Sequence, residues 1–460
     1  MRPRQPFAIT ATFVCISAGC FSQQAQPTFY SVPPVDAPEL APRGPYSVGV
    51  RTIDLVNPQQ VDILNLDPKT GKAPLYDRTL RIEIWYPAII PAGAEERTYY
   101  EAAMPLPPAP GAPKTFLTAG KALRDARPAS GKSFPLVVVS HGYPGSRTFL
   151  TYLTENLASK GYVVAAIDHT DSVWGETKPF LSTLFNRSSD QLFTIRALAE
   201  QASKPGNFLY GLLDAANVAI VGYSMGGYGA ITSAGAGYSK NSILAKGIPP
   251  AVSGLPAEYS EGLLGSSPKF AARALPNLKA VVAISPWGAQ PPYNSWDAEG
   301  LAGIRVPSLF IVGDQDDISG YELGVKHAFE GAVNSDRCLL VYENARHNIG
   351  GNPAPPEALG SFVMDEYFEE PVWRHGRINA INQHFITAFL DLYLKGEESR
   401  RAYLRPAVEK SNDGKWPLPP GQSAGSNFSS GEGKDGQTAW KGFQRRWAVG
   451  LELHCETPSK

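Results

Sequence analysis

Ser224 lies at the centre of the run Val218-Ala219-Ile220-Val221-Gly222-Tyr223-Ser224-Met225-Gly226-Gly227-Tyr228-Gly229-Ala230. Four β-prone apolar residues lead into Gly-x-Ser-x-Gly and then into small residues suited to a helix. This order is that of a strained strand-to-helix elbow, which lifts a serine hydroxyl clear of a sheet. Gly222 and Gly226 remove side chains that would collide in so tight a turn. The helix that follows aims free N–H groups at the place where an oxyanion forms. A serine presented in this way attacks carbonyl carbon, and it needs a base and a carboxylate that orients the base.

In chains built around such an elbow, the carboxylate and then the histidine follow the serine, each after a later strand. The apolar stretch Ser308 to Gly313 ends in Gly313-Asp314-Gln315-Asp316-Asp317-Ile318. Asp316, three residues past the glycine, is the first choice, Asp317 the second and Asp314 the third. Of the seven histidines, His347 follows the last apolar strand on a loop, just before the final long helix, and is the expected base. His141 and His169 precede the serine; His327, His375 and His384 fall in helical patterns, and His454 lies in the tail. An oxyanion hole needs two backbone N–H donors. Met225 supplies one. Ser140-His141-Gly142-Tyr143-Pro144-Gly145, after another apolar strand, supplies the second at Tyr143, since Pro144 has no N–H. The same stretch also reads as a plain Pro-Gly turn.

The elements that must hold these residues alternate along the chain. Strands are expected at Tyr46 to Leu55, Leu80 to Tyr86, Leu136 to Ser140, Tyr162 to Asp168, Val218 to Tyr223, Ala280 to Ser285, Ser308 to Gly313 and Leu339 to Tyr342. Helices are expected at Thr148 to Lys160, Gln191 to Ala202 and Arg377 to Lys395. Continuous apolar strands separated by helices predict an α/β fold, a mostly parallel sheet of about eight strands covered on both faces. The catalytic unit is expected over residues 44–400. An insertion at 235–276, rich in Gly, Pro and Ser, follows the nucleophile helix and is placed to shape a pocket. Residues 411–437 read as a polar linker, and 438–460 as a C-terminal extension in which Trp440, Phe443, Trp447 and Leu451 could dock.

With 460 residues, 43% hydrophobic and 18% charged, the chain can bury a large core. Its net charge of −1 offers no footprint for nucleic acid. Arg2 and Arg4, the apolar run Phe7 to Gly19 and the small residues Ser17-Ala18-Gly19 predict a signal peptide over 1–19 and an exported protein. Cys20 directly after it resembles a lipobox cysteine, so that the protein is either a lipid-anchored lipoprotein or an ordinary secreted one. Residues 20–43, rich in Pro, Gln and Ala, read as a linker. In an oxidising compartment Cys338 and Cys455 are free to pair and tie the tail to the sheet. No cluster of His and Cys suggests a metal, and the serine chemistry requires no cofactor. Oligomeric state is not legible.

With those residues placed, the chain resembles the α/β-hydrolases, in particular the platelet-activating-factor acetylhydrolase-like branch, which borders the dienelactone-hydrolase-like proteins and the bacterial cutinase-type polyester hydrolases. Gly44-Pro45-Tyr46-Ser47-Val48-Gly49, Trp85-Tyr86-Pro87, Ser140-His141-Gly142 with Arg147-Thr148, and Ile167-Asp168-His169 are similar to the first branch. Gly222-Tyr223-Ser224-Met225-Gly226-Gly227 and Ser285-Pro286-Trp287 are more similar to the polyester hydrolases. The resemblance implies that Trp287 and Tyr143 line the substrate cleft. Each also follows a strand on the side where open α/β sheets bind ligands. The alternative for Trp287 is a core residue. The resemblance further implies hydrolysis of carboxylic esters through an acyl-enzyme, on short-acyl phospholipids, small aryl or alkyl esters, or polyesters. The length of 235–276 departs from the compact cutinase type and argues against an open polymer groove. Dienelactone hydrolases proper carry a cysteine where Ser224 stands, so their specific activity does not transfer. Two other readings stay open: a serine peptidase or amidase on the same fold, and a non-catalytic envelope binding protein.

Overall fold

A computed structural model describes residues 28–106, 113–244, 255–414, 421, 440–444 and 446–459. The expected signal segment, Cys20, residues 245–254 of the insertion and most of the expected linker 411–437 lie outside these residues. The sheet is built from nine long strands: β1 (Ser47–Val61), β2 (Leu75–Ile89), β3 (Phe134–Ser140), β4 (Val163–Asp168), β5 (Leu213–Tyr223), β6 (Leu278–Ile284), β7 (Ser308–Gly313), β8 (Arg337–Tyr342) and β9 (Leu451–Glu456). Two two-residue strands, Leu123–Arg124 and Arg127–Pro128, bring the total to eleven. This exceeds the expected eight mainly because the tail supplies β9. The order across the sheet is β9-β8-β7-β6-β5-β3-β4-β2-β1. The six strands β3 to β8 run parallel; β2 and β9 pair antiparallel with β4 and β8 at the two ends of this block, and β1 pairs antiparallel with β2.

Successive strand residues point to opposite faces, and both faces are covered. Val137, Val139, Val164, Val221 and Leu340 pack beneath α1 (Thr151–Ser159) and α4 (His375–Lys395). Leu136, Val138, Val163, Ile220 and Val341 pack beneath α2 (Phe180–Ala202) and α3 (Met225–Ser233). That is why these strands read as unbroken apolar runs. Helix α2 begins eleven residues before the expected Gln191. Its first half carries buried Ser182, Thr183, Asn186, Arg187, Ser188 and Asp190, which serve a polar network and so leave no amphipathic pattern to read.

β4 lies on one side of β3 and β5 on the other. The connections leaving β3 and β5 therefore diverge, opening a crevice at their carboxyl ends where open α/β sheets bind ligands. Residues 28–43 are not a free linker. Asn156 of α1 donates to Ser31 O at 3.2 Å and Ala41 O at 2.8 Å, Ser31 Oγ donates to buried Glu155 at 2.6 Å, and Lys160 Nζ donates to Leu40 O at 2.6 Å. The polar side chains of α1 thus hold this segment against the body. The tail joins it: Glu39 N–H donates to Gly442 O at 2.8 Å, and Trp440 and Phe443 pack on Phe385 of α4. Cys338 and Cys455, opposite each other in the β8–β9 ladder, form a disulfide.

Candidate active site

Ser224 stands between β5 and α3 with φ +53° and ψ −113°, a region that L-residues avoid and that marks stored strain. The neighbours show why glycine is needed on both sides. A Cβ on Gly222 would drive into the backbone of Gly226, and one on Gly226 would drive into Ser140 O. The strained residue is pinned by its own backbone: Ser224 N–H donates to Ile284 O at 2.8 Å, and Ser224 O accepts from Trp287 N–H at 3.1 Å. Gln191 of α2 donates to Gly226 O at 3.1 Å and braces the turn from below.

Ser224 Oγ is 3.0 Å from His347 Nε2. His347 Nδ1 is 3.0 Å from each oxygen of Asp316. A carboxylate only accepts, so Nδ1 carries the N–H and Nε2 is left to take the serine proton. Asp316 Oδ1 also accepts from Ile318 N–H at 3.0 Å and Ser319 N–H at 2.8 Å. Burial pushes the Asp316 carboxyl up, but His347 beside it and these hydrogen bonds outweigh burial and hold it below the usual carboxylate range. The two other aspartates on this loop do different work. Asp317 pairs on the surface with Arg346, and Asp314 accepts from Asn344 N–H at 2.6 Å. Tyr223 stacks beside His347 at 5.3 Å between ring centroids. Buried Glu370 accepts from Arg346 N–H at 2.8 Å and Asn348 donates to Glu366 O at 2.6 Å, so the histidine loop is held by the segment that follows it.

The loop after β3 supplies the other wall. A Cβ on Gly142 would meet Ser224 and the Tyr223 ring, and Gly142 O accepts from His141 Nδ1 at 2.8 Å and from Arg187 at 3.3 Å. Arg187 also donates to His141 O and to Ser172 Oγ. In a trans peptide the carbonyl and the next N–H point opposite ways. With Gly142 O turned toward buried Arg187, Tyr143 N–H is turned the other way, away from Arg187. Met225 N–H opens the first turn of α3, where the helix dipole adds to the pull on an anion. Burial lowers the Arg187 guanidinium to about 9, against the pull of Asp190 and Asp171. Its role was missed from sequence because a lone arginine within a helix ordinarily marks a solvent face.

A cavity of about 410 Å³ opens over Ser224, His347 and Tyr143. Its apolar lining includes Phe149, Tyr223, Tyr367 and Ile318. Two expectations change here. Trp287 does not line this cavity; it is 8% exposed and packs against Phe180, Tyr228 and Tyr293. Phe180, at the start of α2, stands between it and Tyr143, so the ring is buried behind the pocket wall. No described residue of 235–276 lines the cavity either. Its place is taken by residues 363–371, between the histidine loop and α4.

The PET hydrolase-like (PETase) family matches residues 126–252, which span β3 to beyond the nucleophile helix. The fold is that of an α/β-hydrolase. Cutinase est2 of Thermobifida alba is 23% identical over 221 residues, covering 48% of this chain and 55% of the relative. The bis(hydroxyethyl) terephthalate hydrolase of Streptomyces coelicolor is 23% identical over 219 residues, covering 47% and 52%. The chain spans about half the length of the curated relatives it matches. A ferulic acid esterase structure from Streptomyces cinnamoneus aligns over 76% of this chain and 91% of its own, with TM-score 0.47 and 21% identity.

Proposed function

We propose that this α/β-hydrolase is a serine carboxylic-ester hydrolase acting on short-acyl or small aryl and alkyl esters. The observation that carries the reading is the continuous hydrogen-bonded chain from Ser224 Oγ through His347 to Asp316, opening into a cavity. The activities for which its relatives are named, those of cutinases and a terephthalate ester hydrolase, support the same reading.

In this mechanism Ser224 Oγ attacks the ester carbonyl carbon as His347 Nε2 takes its proton. The carbonyl oxygen becomes an oxyanion between the N–H groups of Met225 and Tyr143. Collapse breaks the C–O bond, and His347 returns the proton to the departing alcohol. Water then repeats the sequence on the acyl-serine and releases the acid. Asp316 keeps the imidazole in the required tautomer throughout.

The basic and apolar N-terminal residues support export, and a Cys338–Cys455 disulfide is chemistry of an oxidising compartment. Labelling with a fluorophosphonate, followed by peptide mapping, tests the catalytic reading. Label on Ser224 together with turnover of p-nitrophenyl acetate supports it. Absence of both would leave a binding protein, and faster turnover of the matching anilide would make it an amidase.

A further inference from the structure

One flank of the cleft is walled. Tyr367, on the segment between His347 and α4, donates its hydroxyl hydrogen to Pro144 O at 3.3 Å. Pro144 directly follows the oxyanion-loop residue Tyr143, so this bond spans the cleft from the histidine side to the oxyanion side. Behind it the Tyr367 ring meets Trp174 at 6.3 Å and Phe368 at 6.0 Å. Both of these meet Phe116 and Phe149 within 6.2 Å. The rings come from four separate stretches: the strand Thr115–Gly120, the loops after β3 and β4, and residues 363–371. All but Tyr367 are buried. The rim of the same cavity also carries exposed Ile318 and Val363, with Arg346.

An internal ester of a long polymer leaves the serine along two directions, one for the acyl arm and one for the alcohol arm. A cleft ended by a packed wall gives room for one. We propose that Tyr367 is the specificity-determining residue that ends the cleft. The substrate is then an ester with at most one long arm: a small diffusible ester or the last unit of a chain. The aromatic lining at Tyr143, Phe149 and Tyr223 suits a flat aryl group in the closed part. This inference rests on the ester-hydrolase reading and narrows its substrates.

The test extends one soluble ester, 2-methoxyethyl methoxyacetate, with a long polyethylene glycol chain on the alcohol side, on the acyl side, or on both. The full-length protein should accept one single extension. The other, and the double extension, should lower kcat/KM by about a hundredfold or more. Tyr367→Ala should recover at least about tenfold of that loss on the double-armed ester, and Tyr367→Phe, which keeps the ring and loses only the bond to Pro144, should recover less. Double-armed turnover by the wild type within about threefold of the parent ester would overturn the inference. So would a folded Tyr367→Ala protein with unchanged discrimination. If Tyr367→Ala does not fold, the wild-type series decides whether the cleft has one open end, and Tyr367→Leu, which removes the ring but keeps an apolar side chain, decides the residue: unchanged discrimination in it would overturn the assignment to Tyr367. If none of the four esters is turned over and Ser224 takes no label, the ester-hydrolase reading itself falls.

Discussion

Among the described residues two serine–histidine–aspartate chains stand out, and the cavity described above opens over one of them. The first is Ser224–His347–Asp316. The second is Ser140–His169–Asp190, with Ser140 Oγ 2.8 Å from His169 Nε2 and His169 Nδ1 2.9 Å from Asp190 Oδ2. The hydrogen-bond lengths are alike. The surroundings are not. Asp316 is bonded by His347 and two backbone N–H groups, so its charge is answered by the imidazole. Asp190 is gripped by Arg78 through two bonds of 2.7 and 2.8 Å, and Arg78 also pairs with Asp171 at 2.7 Å. Burial, with Arg187 and Arg78 nearby, drives the His169 imidazole well below its ordinary range and keeps it neutral. Ser140 is 0% exposed and ends a strand, whereas Ser224 sits on a strained turn at the start of α3. On the reading proposed above, the first relay can act on a carbonyl because a cavity opens over Ser224. Elsewhere the same three residues form a polar clamp under the oxyanion loop.

The sharpest way to break this comparison is at the serines. Ser224→Ala should abolish covalent labelling and lower kcat by several orders of magnitude, roughly a factor of 10⁴–10⁶. Ser140→Ala should leave the label on Ser224, and mass mapping of both variants checks this. Next is the carboxylate. Asp316→Asn leaves the imidazole in the wrong tautomer and should cost on the order of 10³–10⁴ in kcat. Asp317→Asn breaks only a surface pair with Arg346 and should cost about 1 kcal/mol of stability or less. The reverse ranking in steady-state assays would move the role by one residue.

At the buried clamp the expected loss is stability instead. Asp190→Asn removes the partner of a buried guanidinium and should lower unfolding free energy by roughly 3–5 kcal/mol in urea melts, with a far smaller loss of kcat per folded molecule than Asp316→Asn. The smallest effect is with pH. His169 and His141 are both held neutral by burial, with folded values far below ordinary. The unfolded chain therefore binds more protons as pH falls below about 6.5, and stability should decline from there. Asp316, depressed in the folded state, keeps its contribution until pH drops below about 4. Urea midpoints between pH 7 and 5 should thus fall in the wild type and fall less in His169→Gln.

The elbow was legible because strand, glycine, serine, glycine and helix are adjacent in sequence and each is forced by local sterics. Asp316 and His347 were legible because chain order and strand ends are preserved in the sheet. Tyr367, Glu370 and Arg187 were not, since their roles arise only when distant loops meet. Trp287 was misplaced for the same reason: whether a ring after β6 faces substrate depends on Phe180, more than a hundred residues earlier. The strand β9 reads Leu-Glu-Leu-His-Cys-Glu, an alternation too short to separate from a docking segment without its partner β8.

That terminal strand has one more consequence. Without it, the outer edge of β8 would present a row of unpaired N–H and C=O groups next to exposed apolar surface, the arrangement through which sheets of separate molecules join. A chain ending before Leu451 would keep Ser224, His347 and Asp316. Its first fault should be self-association, visible as a rise in light scattering at concentrations where the full chain stays clear.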